Sequence, residues 1–329
     1  MADRSISVVV AVYNAAASLR LLLDGLDASL RRTGAPFEVV LVNDGSRDDS
    51  WSVIETEAAV RPWVRGIDLS RNFGQHNALL CGIRAARHEI IVTMDDDLQN
   101  PPEAVPALVA ALAPDVDVVY GSPAQEQHGL WRDIASQTTK LVLGGVLGAS
   151  TARQVSGFRA FRTELRDAFQ DYSGPSVNLD VLLTWATTKF TAIRIEHAPR
   201  RFGSSNYTFG RLAAHALNML TGFSTLPLRI WTYIGAGVAA FAFAYMGVIL
   251  VRTLIYGPDV PGYPSLLMSI LFIGGVQLIG IGVLGEYLGR VYIEVKQRPT
   301  YIVGQTFAGT EVIKPLPTPT RSGTLREVS

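Results

Sequence analysis

Two long uncharged stretches constrain this chain more than anything else in it. No Asp, Glu, Lys or Arg occurs from Ile230 to Val251 or from Val260 to Gly285. At about 1.5 Å rise per residue the first stretch alone reaches about 33 Å, enough to cross a hydrocarbon layer of about 30 Å. A core helix rarely runs past about 20 residues without a charge. Both stretches are rich in glycine, which membrane helices tolerate and close helix packing favours. The sequence therefore predicts two transmembrane helices, at about 230–251 and 266–287, within a membrane region of residues 226–290.

Charge placement sets the expected topology. The loop Arg252–Ser265 holds only Arg252 and Asp259, whereas Arg229, Arg290, Lys296 and Arg298 flank the outer ends. The positive-inside bias places both outer ends in the cytoplasm. The expectation is a multi-pass protein of the inner cell membrane, with residues 1–225 and the tail 291–329 cytoplasmic. Lys plus Arg and Asp plus Glu both number 29, so no basic surface for nucleic acid is expected. The single cysteine, Cys81, excludes an intramolecular disulfide and a cysteine-based zinc site.

The first 120 residues alternate between strand and helix patterns. Apolar, β-branched runs at Ile6–Val12, Phe37–Val42, Val64–Leu69, Glu89–Met94 and Val116–Tyr120 read as strands. The first is too short for a signal peptide and ends in Tyr13-Asn14. Helix-like stretches lie between them, at Ser18–Arg32, Asp48–Ala59, Gln75–Arg87 and Pro102–Leu112. This alternation predicts βαβ units around a parallel sheet, with ligands beyond the carboxyl ends of the strands. Leu130–Leu147 and Phe209–Leu220 are amphipathic, as core-facing or membrane-surface helices would be. Beyond about Gly304 the composition reads as loop.

Polar clusters fall at the strand ends: Tyr13-Asn14, Asp44, Ser70-Arg71-Asn72 and Asp95-Asp96-Asp97. Two carboxylates at i and i+2 on an extended chain end can reach one hard cation, Mg²⁺ or Mn²⁺, that would bridge diphosphate oxygens. A surface acidic turn has the same composition. Position at the end of a strand favours the cation site.

Three segments together resemble a known family: RNFGQHNALLCGI at 71–83, TMDDDLQNPPE at 93–103, and LGEYLGRVYIEVKQRPTY at 284–301. They are similar to the bacterial polyprenyl-phosphate glycosyltransferases. These are inverting family 2 enzymes with the α/β, Rossmann-like GT-A fold, and they include undecaprenyl-phosphate aminoarabinose and glucose transferases. The resemblance implies transfer of a sugar from a nucleotide-sugar, such as a UDP-sugar, to a polyprenyl phosphate. It implies that Val12, Tyr13 and Asn14 lie against the base, although Ala11 and Ala15 stand where the family has Pro and Glu. Asp44 would bond the uracil, with a turn or helix cap as its alternative role, and Arg71, Gly74 and His76 would join the same nucleotide-sugar site. Asp95 and Asp97 would hold the metal and Gln99 would complete its shell. Asp96, where relatives often have Ala, is placed in the donor site but expected to turn away from the metal.

On the acceptor side the resemblance assigns the lipid phosphate to Arg159, Arg200 and Ser205, with Arg132 as a further cation; Asn206 replaces a family Lys. A lipid monophosphate has its second pKa near 6, so its oxygen can attack without a strong base. If a base assists, Asp97 or Asp180 is the candidate. The family also implies a homo-oligomer, a membrane tetramer. Two alternatives stand beside this reading. A processive polysaccharide synthase would carry a Q-x-x-R-W motif, and no Arg-Trp dipeptide occurs. The other is a weakly active membrane scaffold of the same fold.

Overall fold

The computed structural model describes residues 4–123, 155–174, 177–196, 226–257, 262–296, 299–308 and 311–313. The chain divides into two compact units, Met1–Thr208 with Gln297–Ser329, and Phe209–Lys296.

The first unit is built on a nine-stranded sheet among the described residues, in the order β7-β5-β6-β4-β1-β2-β3-β8-β9. Its centre follows the sequence pattern. Strands β1 (Ile6–Val12), β2 (Phe37–Asn43), β3 (Val64–Leu69) and β4 (Ile90–Met94) are parallel, in the order β3-β2-β1-β4. Helices α1 (Ala16–Arg31), α2 (Ser50–Val60) and α3 (Gln75–Ala85) connect them. Both faces of these strands are covered, which is why they read as continuous apolar runs. Alternate residues serve opposite faces. Val8, Val10, Val39 and Leu41 meet the leucine stripe Leu19, Leu22, Leu23, Leu26 and Leu30 of α1. Val9, Val40 and Val42 meet Leu79, Leu80 and Ile83 of α3. Gly82 lets α3 lie close on the sheet: a Cβ there would come within 2.4 Å of Val9 Cγ1.

Outside this centre the sheet is mixed rather than parallel. Strand β5 (Val118–Pro123) follows a one-turn 3₁₀ segment at Pro102–Ala104 and the short helix α4 (Val105–Ala110). Strand β6 (Arg159–Arg162) runs antiparallel between β4 and β5, and β7 (Phe190–Ile195) pairs parallel with β5. A 3₁₀ segment, Thr163–Ala168, and helix α5 (Leu179–Ala186) lie between β6 and β7. The four-residue RAFR strand is too short and too basic to show a period of two, so the alternation missed it.

The loop expectation beyond Gly304 is also corrected. Strand β8 (Val303–Ala308) pairs antiparallel with β3, and β9 (Glu311–Ile313) pairs with β8. Gly304, Gln305 and Ala308 dilute the strand-favouring Val303, Thr306 and Phe307; the open edge of β3 supplies the partner that makes the segment a strand. Tyr301, just before β8, is buried in the α3-side core.

The second unit contains helices α6 (Leu226–Tyr256) and α7 (Tyr263–Val295), each longer than its predicted span. Among the described residues one window, Phe272–Gly289, is long and apolar enough to cross a membrane, with mean hydropathy 1.4. The two helices meet where Trp231 lies over Gly280; a Cβ at Gly280 would fall 2.0 Å from the indole Nε1. The amphipathic stretches Leu130–Leu147 and Phe209–Leu220 lie outside the described residues.

Candidate active site

The carboxyl ends of β1, β2, β3 and β4 come together at one edge of the first unit, and the polar clusters sit there. Asp44, immediately after β2, is buried and accepts two backbone N–H bonds across the strand end. Phe73 donates to Oδ1 at 2.7 Å and Gly74 to Oδ2 at 2.8 Å. Its own N–H donates to the Val12 carbonyl at 2.8 Å. Burial raises the Asp44 carboxyl above its ordinary range, and the two N–H donors pull against that. Asp44 therefore clamps the loop that opens α3 rather than capping α2.

The same loop rests directly on Gly45. That residue has φ +63°, and a Cβ would lie 2.5 Å from the Arg71 carbonyl carbon and the Asn72 nitrogen. Only glycine meets both demands. Gly74, at φ +98°, is the N-cap of α3. Arg71 is exposed, with its guanidinium 4.5 Å from the Phe73 ring centre.

Val12 is fully buried, so its side chain belongs to the core and not to the nucleotide site. Tyr13 and Asn14 are exposed, Tyr13 by 46%. Asn14 has φ +54° and is tied to the loop after β2: its N–H donates to Ser46 Oγ at 3.0 Å, and its Oδ1 accepts from Arg47 N–H at 2.8 Å. Asparagine tolerates this conformation better than most residues.

The acidic triplet follows β4. Asp95 Oδ1 accepts from the Gln75 side-chain amide at 2.6 Å. Gly157 lies against the same carboxylate, where a Cβ would be 3.1 Å from Oδ2 and 3.2 Å from Oδ1. Asp96 points to the end of β1. Its Oδ2 accepts the Tyr13 N–H at 3.0 Å, which ties the triplet to that strand. Burial first, then the charges of Asp95 and Asp97, push its carboxyl up to about 6. Asp97 Oδ1 accepts the Gln99 N–H at 3.1 Å, and Leu98 between them is held at φ +60°. A leucine in the left-handed region is a strained residue, of a kind that clusters at binding sites.

Among the described residues no three His, Cys, Asp or Glu side chains converge into a metal cage. The donor set of two carboxylates and one amide nonetheless fits Mg²⁺ or Mn²⁺. Such hard cations take oxygen ligands and share their shell with substrate phosphates and water.

Behind the triplet runs a buried polar chain. Arg159, 2% exposed, forms an ion pair with Asp180 and donates through Nε to Thr93 Oγ1 at 3.1 Å. Thr93 Oγ1 donates to the Gly157 carbonyl at 2.8 Å, and the Tyr120 hydroxyl donates to Asp180 at 3.1 Å. Asn178 caps α5 by accepting from the N–H groups of Asp180 and Val181. His76 accepts the Leu179 N–H at 3.4 Å, joining the first turns of α3 and α5.

This corrects one expectation. Arg159 is committed to Asp180 in the interior rather than presented to an acceptor phosphate. Asp180 is in turn held by that guanidinium and by the Tyr120 hydroxyl. Arg132, Arg200 and Ser205 lie outside the described residues. Gln75, Thr93 and Tyr120 were missed by the sequence reading. Gln75 carried a signal: a polar side chain in a helix's first turn, directly after a glycine at a strand end.

Parallel strands whose ends carry clamped glycine loops and an acidic triplet define a GT-A-type α/β glycosyltransferase fold with a mixed sheet. Residues 7–172 match the sequence model of Glycosyl transferase family 2. The chain belongs to that family and is a glycosyltransferase. It is 36% identical to an undecaprenyl-phosphate 4-deoxy-4-formamido-L-arabinose transferase of Pectobacterium atrosepticum, over 92% of this chain and 94% of that one. It is also 36% identical to the SfII prophage-derived bactoprenol glucosyl transferase of Shigella flexneri, over 92% of this chain and 99% of that one. Among solved structures, it is similar to glucosyl-3-phosphoglycerate synthase of Mycobacterium tuberculosis in complex with Mn²⁺, UDP and phosphoglyceric acid. That likeness has a TM-score of 0.47 at 20% identity, over 66% of this chain and 76% of that one.

Proposed function

We propose that the protein is an inverting glycosyltransferase that moves a sugar from a nucleoside diphosphate-sugar to a polyprenyl phosphate at the cytoplasmic face of the inner membrane. The observation that carries this reading is the acidic triplet at the end of β4, with Asp95 set between Gln75 and Gly157. The names of the full-length relatives support a lipid-phosphate acceptor.

In this reading Tyr13 and Asn14 face the base, and the Asp44 clamp shapes the loop beneath the nucleotide. Asp95 and Asp97 would hold Mg²⁺ or Mn²⁺, with Gln99 completing the shell. When bound, the cation neutralises diphosphate charge and so favours departure of the nucleotide. The acceptor phosphate is already largely ionised at neutral pH and attacks the anomeric carbon from the face opposite the leaving group. Arg200, Arg132 and Ser205 orient that phosphate. Asp180 acts through Arg159, as a positioning residue for the Thr93–Gly157 wall of the triplet. The anchor is α6 and α7 crossing the membrane as a pair with both termini cytoplasmic, in a homo-oligomer such as a tetramer.

The test is turnover by the full-length enzyme in detergent, with undecaprenyl phosphate and a panel of UDP-sugars, read by mass spectrometry. One lipid-linked sugar per lipid is expected. A growing free polysaccharide would favour the processive alternative, and absence of any lipid-linked product would reject the proposal.

A further inference from the structure

The residues that follow α7 are wired to the donor-site loop at two points. The Ser70 N–H, at the start of that loop, donates to the Ile302 carbonyl at 2.9 Å. The β3–β8 register shifts between Asp68 and Leu69, immediately before it. One residue earlier in the tail, Tyr301 is 5% exposed and seated on the body of α3. Its hydroxyl accepts from Arg84 at 3.3 Å, and its ring lies 5.6 Å from the Arg84 guanidinium. Arg84 also donates to the Tyr172 carbonyl at 2.7 Å. The stretch from Ser70 through α3 is therefore gripped at its first residue and again in its helix. Between those grips lie the residues that Asp44 clamps and the Gln75 amide that meets Asp95.

We propose that Tyr301 and Ile302 are positioning residues for the donor site: the tail after the second long helix holds the Ser70–Gly74 loop and the first turn of α3, and so aims Gln75 at Asp95. Any part of the chain that displaces this tail then weakens donor binding before it affects the acceptor. The consequence for donor binding rests on the function proposed above, whereas the effect on the loop does not.

The experiment uses the full-length enzyme in detergent, as Tyr301→Ala and Tyr301→Phe. Hydrogen exchange is read on the peptides covering 70–79 and, as a control, 19–26. Tyr301→Ala is expected to speed exchange in 70–79 by about tenfold, the equivalent of one lost buried hydrogen bond, with 19–26 unchanged. Tyr301→Phe keeps the ring and loses only the hydroxyl, so it folds in any case and gives a smaller effect in the same place. UDP binding with Mn²⁺ should weaken in parallel while the apparent KM for undecaprenyl phosphate stays as in the unaltered enzyme. Unchanged exchange in 70–79, or equal gains in both peptides, overturns the inference. If the unaltered enzyme binds no UDP, the donor reading fails and the exchange data alone decide the role of the tail.

Discussion

The Arg159 guanidinium and the Asp180 carboxylate meet as an ion pair inside the protein, with Thr93 on one side and the Tyr120 hydroxyl on the other. Two charges taken out of water are worth keeping only if every partner is present. Removing the arginine leaves a buried carboxylate alone. Arg159→Ala is therefore expected to destabilise the protein by about 3–5 kcal/mol. Denaturant unfolding of the full-length enzyme measures this, and a loss under about 1 kcal/mol would place the pair in water instead.

The metal reading makes a sharper demand on activity than on stability. Asp97→Asn keeps the side chain's shape and an oxygen for the Gln99 N–H. It should fold normally and lose most of its turnover. Excess EDTA should silence the unaltered enzyme, and added Mn²⁺ or Mg²⁺ should restore it. Full turnover in EDTA would remove the cation from the site.

Gly45 tests the loop clamp directly. Gly45→Ala sets a Cβ against the Arg71 and Asn72 backbone at a φ that alanine resists. The expected cost is about 1–3 kcal/mol, appearing mainly as weaker UDP binding because the Arg71–Gly74 loop must shift. Calorimetry on the variant reads it.

The burial of the Cys81 thiol and the Tyr301 hydroxyl predicts an alkaline weakness. Burial first, offset in part by Arg84, pushes the Cys81 thiol up from 9.0 to about 12. Burial likewise pushes the Tyr301 hydroxyl up from 10.0 to about 12. As pH rises the unfolded chain releases the thiol proton around pH 9 and the phenol proton around pH 10, while the folded protein keeps both to about 12. The unfolded state then binds fewer protons, so stability falls with rising pH, by about 1.4 kcal/mol per pH unit for each group. Below about pH 8 neither group contributes a slope, because both are protonated in the folded and unfolded states alike. Cys81→Ala should flatten the fall between pH 9 and 10, as measured by denaturant midpoints.

The centre of the fold was legible because parallel strands covered on both faces leave unbroken apolar runs, and β1 and β3 were bounded to the residue. Strands β6 and β8 were not legible. RAFR and VGQTFA owe their state to partners far away in sequence, at β4 and β3. The acidic triplet was readable from composition and placement. The role of Arg159 was not, since nothing local distinguishes an arginine buried against Asp180 from one that faces a phosphate.

Topology is testable because the one native cysteine is silent. Cys81 is 2% exposed and its thiol stays protonated at neutral pH, so a thiol reagent should leave it unmodified in the folded protein. A new cysteine then reports its own side of the membrane. From the uncharged runs and the cations Arg229, Arg290, Lys296 and Arg298, the expected arrangement has the Arg252–Ser265 loop outside and the tail inside. Asp259→Cys should be labelled in intact cells by a reagent that cannot cross the membrane, and Thr320→Cys only after the cells are opened. If both react from outside, α6 and α7 do not cross as a pair, and a catalytic unit tied to its own tail through β8 would have to be placed on the other side as well.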